Sequence, residues 1–466
     1  MVRDPEPKPG WLTTPIAAAR ERWRQGERYV RRQVVWNNVY RASSYLKSSL
    51  WIVPLLAILI VLALAPVLRW LDGAIGWRLF GLTTSGAQSL YQSVITLTLS
   101  FVVFTFGSLL VAIQIASGQL TPRIIATTLL RDPVVKYSVG LFVFTLVFAV
   151  MALNRLEKTA EGIVPLLTAS LGIACMASFL FLIDYAARLL RPVSILARVG
   201  NGGLEVIKSV YPLPTSDEPD VSSVLPILGK PGRVVRHLGT SAIVLAVDLD
   251  TLVREAQRTG GIIEFVPEVG DFVATDEPLF LLYGGATESD DVRLSTTVAF
   301  GVERTMEQDP LFSFRIMVDI GLKALSPAIN DPTTAVLALD QIHRLLRVVG
   351  RRQLRGEVIL DRTGHPRVIY RTPNWEDFVN VSCHEIRMCG ASSVQIARRM
   401  RAMLDDLVRS LPPHRRPALE QEARRLTETI GPLYRQPEDL ALASVPDAQG
   451  LGGSSGGRGP YGRRTQ

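Results

Sequence analysis

The sequence predicts an α-helical membrane bundle of four spans followed by a cytosolic α+β region, itself a small β-rich module and a mostly helical domain. Three observations predict this. The chain of 466 residues is 47% hydrophobic with a mean hydropathy of +0.22, more apolar than a soluble enzyme and more polar than a chain made only of spans. Four long apolar runs precede residue 190. The remainder carries strand alternation, helix caps and turn residues.

Residues 1–48 form a basic N-terminal segment. Arg20, Arg22, Arg24, Arg28, Arg31, Arg32, Arg41 and Lys47 stand among Trp23, Tyr29, Trp36 and Tyr40. Such a composition suits a helix on an anionic membrane surface, or a solvated helix leading into the first span. The transmembrane domain covers 49–187. Its apolar runs are 49–70, 90–117, 134–153 and 163–185, each near the roughly 20 residues that cross a bilayer core. The first run follows a long polar stretch, which is not the layout of a signal peptide, so it is expected to remain in the mature protein.

Orientation follows from Lys and Arg in the flanks. The N-terminal flank is heavily basic, the first loop holds Arg78, and the second holds Arg123 and Arg131. The third balances Arg155 and Lys158 with Glu157 and Glu161, and Arg188, Arg191 and Arg198 follow the fourth run. The pattern reads in–out–in–out–in, with both termini in the cytosol.

In the second span Ser93, Ser100, Gly107 and Gln114 recur every seven residues and form one candidate transmembrane seam, with Thr96 beside it. Small and polar residues in line let helices approach closely; the same pattern can line a polar path. Asp184 stands four residues before Arg188, the spacing of a helical ion pair. The spans hold almost no charge near mid-membrane, which argues against an ion-coupled transporter.

An exit helix and a Gly/Pro-rich linker occupy 188–230. The β-rich module is 231–298. No lysine lies between Pro231 and Gly285, so the module is not a lipoyl or biotinyl carrier. The mostly helical cytosolic domain is 299–437, with a β-hairpin in RGEVILDRTGHPRVIYRTP. Residues 438–466 are a Gly/Ser/Arg-rich tail expected to be disordered.

The densest stretch is 304–342. Asp309-Pro310 and Asp331-Pro332 each open a helix, Asp at the N-cap and Pro at the first helical position. Arg315, Asp319 and Lys323 fall four apart as a plus–minus–plus ladder. Arg304, Asp309, Arg315, Asp319, Lys323, Asn330 and Asp331 are therefore the candidate polar pocket, or an interface between copies, at the two helix N-termini, which favour anions. Caps and a helical ladder account for the same residues without any ligand. If the ladder is buried, Asp319→Asn should destabilise more than Asp340→Asn on the next helix.

Catalytic signatures are missing. There is no phosphate loop and no nucleophile elbow. His384-Glu385 opens like a zinc-protease helix, but Met388 stands where the second histidine belongs. Cys383, His384 and Cys389 match no common zinc spacing. With Cys175 they are too few for a disulfide framework and suit a reducing compartment. Much of the basic excess behind the net charge of +8 sits before the first apolar run, which suits a membrane surface better than nucleic acid. No enzyme activity, metal or cofactor is expected. The expected partners are the lipid bilayer, further copies of the chain and a cytosolic protein, with no nucleic acid.

IQIASGQLTPRIIATTLLRDPVVKYSVGLFVFT and FGVERTMEQDPLFSFRIMVDIGLKALSPAINDPTTAVLALDQI resemble a family of bacterial predicted membrane proteins known as domain of unknown function twenty-two fifty-four. The resemblance runs from the first span to the last helix. It implies a multi-pass protein of the bacterial inner membrane and brings no activity, cofactor or functional residue. On the residues themselves, the expected role is an oligomeric membrane protein whose cytosolic domain senses or gates, a channel-like role being its sharpest form. The alternative is a non-conducting scaffold or stress sensor that recruits a cytosolic partner.

Overall fold

A computed structural model describes residues 49, 51–75, 83–119, 132–155, 163–189, 191–215, 228–354 and 356–452. The basic segment 1–48, much of the loop sequence that sets the orientation, the linker at 216–227 and residues 453–466 lie outside the described residues. The chain divides into two compact units. A β unit takes 228–309 and 356–372, and a helical unit takes the apolar helices together with 310–354 and 373–452.

The apolar helices are α1 (Ile52–Ile75), α2 (Thr84–Gln119), α3 (Pro133–Leu153) and α4 (Ile163–Leu189). Among the described residues three stretches are long and apolar enough to cross a membrane: Thr84–Ile115, Pro133–Leu153 and Ile163–Leu189. Four were expected. The apolar stretch described in α1 is the shorter Ile52–Leu64.

Inside the block, Phe101 of α2 stacks on Phe179 of α4, ring centroids 4.2 Å apart, and tilts against Phe142 of α3 at 5.7 Å. Val135, Val139, Cys175 and Leu182 complete that core. Cys175 is a packing residue, as its apolar surroundings suggest, with Sγ 3.2 Å from Thr145 Oγ1.

The exit helix is α5 (Pro192–Val210). Pro192 sits in its first turn and Ile195, Leu196, Val199, Gly200, Gly203 and Ile207 are its buried stripe. The polar helices of this unit are α8 (Pro310–Ala324), α9 (Pro332–Val349), α10 (Trp375–Gly390), α11 (Val394–Ser410), α12 (Arg416–Ile430) and α13 (Pro437–Ser444). The β unit between α5 and α8 adds α6 (Leu249–Thr259) and α7 (Asp291–Ser295).

Helices α8 and α9 form a hairpin through 325–331. Asp331 N–H donates to Ala324 O at 2.8 Å, and Asn330 turns the chain with φ +49°. A capping box opens α10: Asn374 accepts from Asp377 N–H, and Asp377 accepts from Asn374 N–H, each at 2.9 Å. Phe314 of α8 meets Phe378 of α10 at 5.3 Å, inside a core with Met317, Leu339, Ile386 and Met403.

The tail expected to be disordered from 438 is ordered as far as 452. Helix α13 buries Ala443. Arg398, fully buried, donates to the carbonyls of Val445 and Gly452 at 3.0 Å each. Asp447 accepts from Gln449 and Gly452 N–H groups. A Gly-rich composition does not reveal that a buried guanidinium needs these carbonyls as partners.

The β unit holds a five-stranded sheet ordered β1-β5-β3-β8-β7 and a three-stranded sheet ordered β4-β2-β6. The strands are β1 (Arg233–Arg236), β2 (Ala242–Val247), β3 (Ile262–Phe265), β4 (Phe272–Val273), β5 (Pro278–Tyr283), β6 (Val298–Gly301), β7 (Val358–Leu360) and β8 (Pro366–Tyr370). The β7–β8 hairpin was expected within the helical domain. It belongs to this unit, because β8 pairs parallel to β3, Ile263 opposite Val368 and Phe265 opposite Tyr370. Its apolar residues Val368 and Tyr370 join a core with Val244, Leu252, Phe265 and Phe280.

Candidate functional site

The stretch at 304–342 does not gather into one pocket. Its first part laces the β unit. Arg304 pairs with buried Asp309, and the Gln308 side-chain oxygen accepts Val247 N–H at 3.0 Å. The Arg304 guanidinium lies across Gly270, where a Cβ would meet it at 2.4 Å; Gly270 also holds φ +100°, which a side chain would strain.

The second part lies in the helical unit. Arg315 donates to Asp319 at 2.7 Å and forks onto both carboxylate oxygens of Glu385 on α10. The Glu385 and Asp319 carboxylates hold the Arg315 guanidinium well above its ordinary range, and Arg315 in turn holds Glu385 below its own. The expected ladder is therefore half formed: Lys323 is exposed and makes no ion pair among the described residues. Asp331 is an N-cap, accepting from Thr334 N–H at 3.1 Å.

A pocket shared by the two helix N-termini is not formed within the chain. The hairpin ties the start of α9 to the end of α8 through Asp331 N–H and Ala324 O. The 15 residues of α8 then separate the two N-termini by about 20 Å. The seven-residue connector carried this information, since short links join antiparallel helices.

The α2 seam also lies apart from the chain's own packing. Ser93, Ser100, Gly107 and Gln114 are exposed, and a Cβ at Gly107 would meet nothing within 4 Å. The buried heptad lines are Ala87, Val94, Phe101 and Tyr91, Thr98, Thr105, Ala112. Ser93 and Ser100 satisfy their hydroxyls on their own helix, at Ser89 O and Thr96 O, 2.8 Å each.

Three polar clusters were not singled out from the sequence. Asp132, its side chain fully buried, caps α3 through Val134 and Val135 N–H. The same carboxylate accepts Tyr185 Oη of α4 at 2.7 Å and Arg198 of α5 at 2.5 Å. Asp132-Pro133 repeats the Asp-Pro helix start seen twice later, and that was the available signal. Arg387 of α10 pairs at 2.7 Å with Glu422 of α12, both buried. Asp340, Arg399, His343, Asp406 and Arg347 form a chain between α9 and α11. Burial, and next the charge of Arg399, push the His343 pKa down. The surrounding side chains decide all three. Asp184 and Arg188, read as a pair from their spacing, do pair on the exposed face of α4.

Among the described residues no three His, Cys, Asp or Glu side chains group as metal ligands. Cys383 is fully buried, and burial pushes its thiol far up, while Cys389 is exposed.

Apolar helices packed through aromatic rings, with a mixed α/β region after them, define a helical membrane protein with an appended α/β region. Residues 47–406 match the family model described as Predicted membrane protein (DUF2254), and the chain belongs to that family. It is similar to uncharacterized proteins of Mycobacterium bovis and Mycobacterium tuberculosis, 26% identical over 415 residues, covering 85% of this chain and 79% of each relative. No solved structure matches.

Proposed function

We propose that the chain is a homo-oligomeric protein of the bacterial inner membrane, with four spans, α1 included, and both ends in the cytosol, in which the polar helices sense a cytosolic state and transmit it to the spans. The observation that carries this reading is the double attachment of α5. Towards the apolar helices, Arg198 holds Asp132 and Tyr185. Towards the polar helices, Gly203 presses on Ser313 of α8 and Leu345 of α9, where an added Cβ would come within 2.8 and 3.1 Å. A displacement of the α8–α9 hairpin would therefore pull on the cap of α3. Gating of a channel-like path is the sharpest form of the role, with the exposed α2 seam facing a neighbouring copy.

The second reading is a non-conducting scaffold or stress sensor that recruits a cytosolic partner. The self-satisfied hydroxyls of Ser93 and Ser100 favour it, because they ask for no water.

The test is reconstitution. Mass photometry in nanodiscs should show more than one copy, and liposome flux should change in Arg198→Ala at unchanged assembly. A monomer overturns the oligomer, and assembly without flux in either protein selects the scaffold. A reporter active only outside the cytosol, fused after Gln466, should stay silent. Residue 440 is unsuitable for that fusion because α13 packs there.

A further inference from the structure

On α11, Arg401, Asp405 and Arg409 recur every four residues and share one face. On α12, Glu420, Arg424 and Thr427 fall at i, i+4 and i+7 and do the same. The short link 411–415 sets the two helices antiparallel. Arg401 fixes their register, its guanidinium donating to Thr427 Oγ1 at 3.1 Å. The two faces line one groove of about 510 Å³, with half-buried Val408 and Ala423 as its apolar part. That volume lies in the range of small-molecule sites, roughly 300–1,000 Å³.

The charges of the groove are unequally committed. Arg401 also donates to Asp405 at 3.1 Å, which neutralises that carboxylate. The Thr427 hydroxyl is spent on Ala423 O at 3.0 Å. Arg409 and Arg424 are exposed and make no ion pair among the described residues, although each has a carboxylate one helical turn away, Asp405 and Glu420. Two guanidinium groups, one from each wall, are thus uncommitted against the single carboxylate of Glu420. Guanidinium forks match the oxygens of carboxylate and phosphate. One carboxylate satisfies one fork, whereas a phosphate dianion has oxygens for two.

We propose that this groove binds a water-soluble organic phosphate. Its phosphoryl group lies between Arg409 and Arg424, its body rests on Val408 and Ala423, and a hydroxyl of that body donates to Glu420. Because the guanidinium groups are exposed, salt weakens the binding. The site stands whether or not the spans conduct.

The test is isothermal titration calorimetry of the full chain in phosphatidylcholine nanodiscs, with glucose 6-phosphate as the probe. Saturable binding is expected, and none with glucose. Arg409→Gln and Arg424→Gln, both of exposed and unpaired residues, should each weaken binding about tenfold. Arg344→Gln, which removes the same charge from an exposed position on α9, should leave it unchanged. Glu420→Gln should tighten inorganic phosphate by up to about fivefold, because a like charge leaves the groove. Thermal melts check that each variant folds. No saturable binding of either phosphate overturns the proposal, and so does an equal loss in Arg344→Gln. Protection of 405–409 and 423–427 from hydrogen exchange that needs phosphatidic acid in the disc, and not glucose 6-phosphate, also overturns it by making the ligand a lipid headgroup.

Discussion

The Arg387–Glu422 pair offers the sharpest energetic test of the helical unit. Arg387 is 7% and Glu422 1% exposed, with Nε 2.7 Å from the carboxylate. Thr429 Oγ1 accepts a second guanidinium N–H at 2.9 Å, and His384 Nδ1 lies 3.2 Å from a third nitrogen. Glu422→Leu leaves the guanidinium buried without its carboxylate. Arg387→Met leaves the carboxylate with Arg425, 3.5 Å away and 41% exposed. Stranding one member of such a pair costs about 3–5 kcal/mol, whereas replacing both with apolar groups of like volume is near neutral. At about 2–4 °C per kcal/mol in a domain of this size, each single variant should lose about 6–20 °C. The double variant should regain most of that loss. Differential scanning fluorimetry of the detergent-purified full chain reads all four corners of the cycle. Two singles that each shift less than about 2 °C, or a double equal to their sum, would refute the claim that this pair is coupled and dry.

Asp340→Asn should cost about 1.5–3 kcal/mol, because Arg399 is 7% exposed and loses its carboxylate. Asp319→Asn should cost under about 1 kcal/mol, because Arg315 keeps Glu385; thermal melts of the two variants compare them, in the reverse of the order that sequence spacing suggests. Gly107→Leu should leave the single chain folded, since nothing lies within 4 Å of its Cβ position, yet dissociate any assembly built on the α2 seam, as native gels would show. The lowered His343 pKa means the unfolded chain takes up the proton first. Its stabilising contribution is thus complete above about pH 6.5 and declines as pH falls below that. Denaturant melts between about pH 5.5 and 7.5 should show the decline in the native protein and a flatter profile in His343→Gln. Iodoacetamide should label Cys389 quickly and leave Cys383 unmodified until the protein unfolds.

The sequence by itself determined whatever depends on neighbours along the chain. Apolar run length marked α2, α3 and α4. Pro332 after Asp331 marked the start of α9, and the i, i+4 rule paired Asp184 with Arg188. Alternation found the β7–β8 hairpin, because it records which face is buried. It could not say against what. The parallel pairing of β8 with β3, across about a hundred residues, moved that hairpin into the β unit. Likewise the Ser93–Gln114 seam was legible as a line, but only packing against α3 and α4 decided that the buried line is Ala87–Val94–Phe101. Arg398 drew residues 445–452 out of the Gly-rich tail, and Glu385, 70 positions away, took the face of Arg315 that spacing had left open. Charges and carbonyls separated by long stretches of chain find each other only once the helices are packed. A buried guanidinium must be satisfied, but the sequence does not say by which partner.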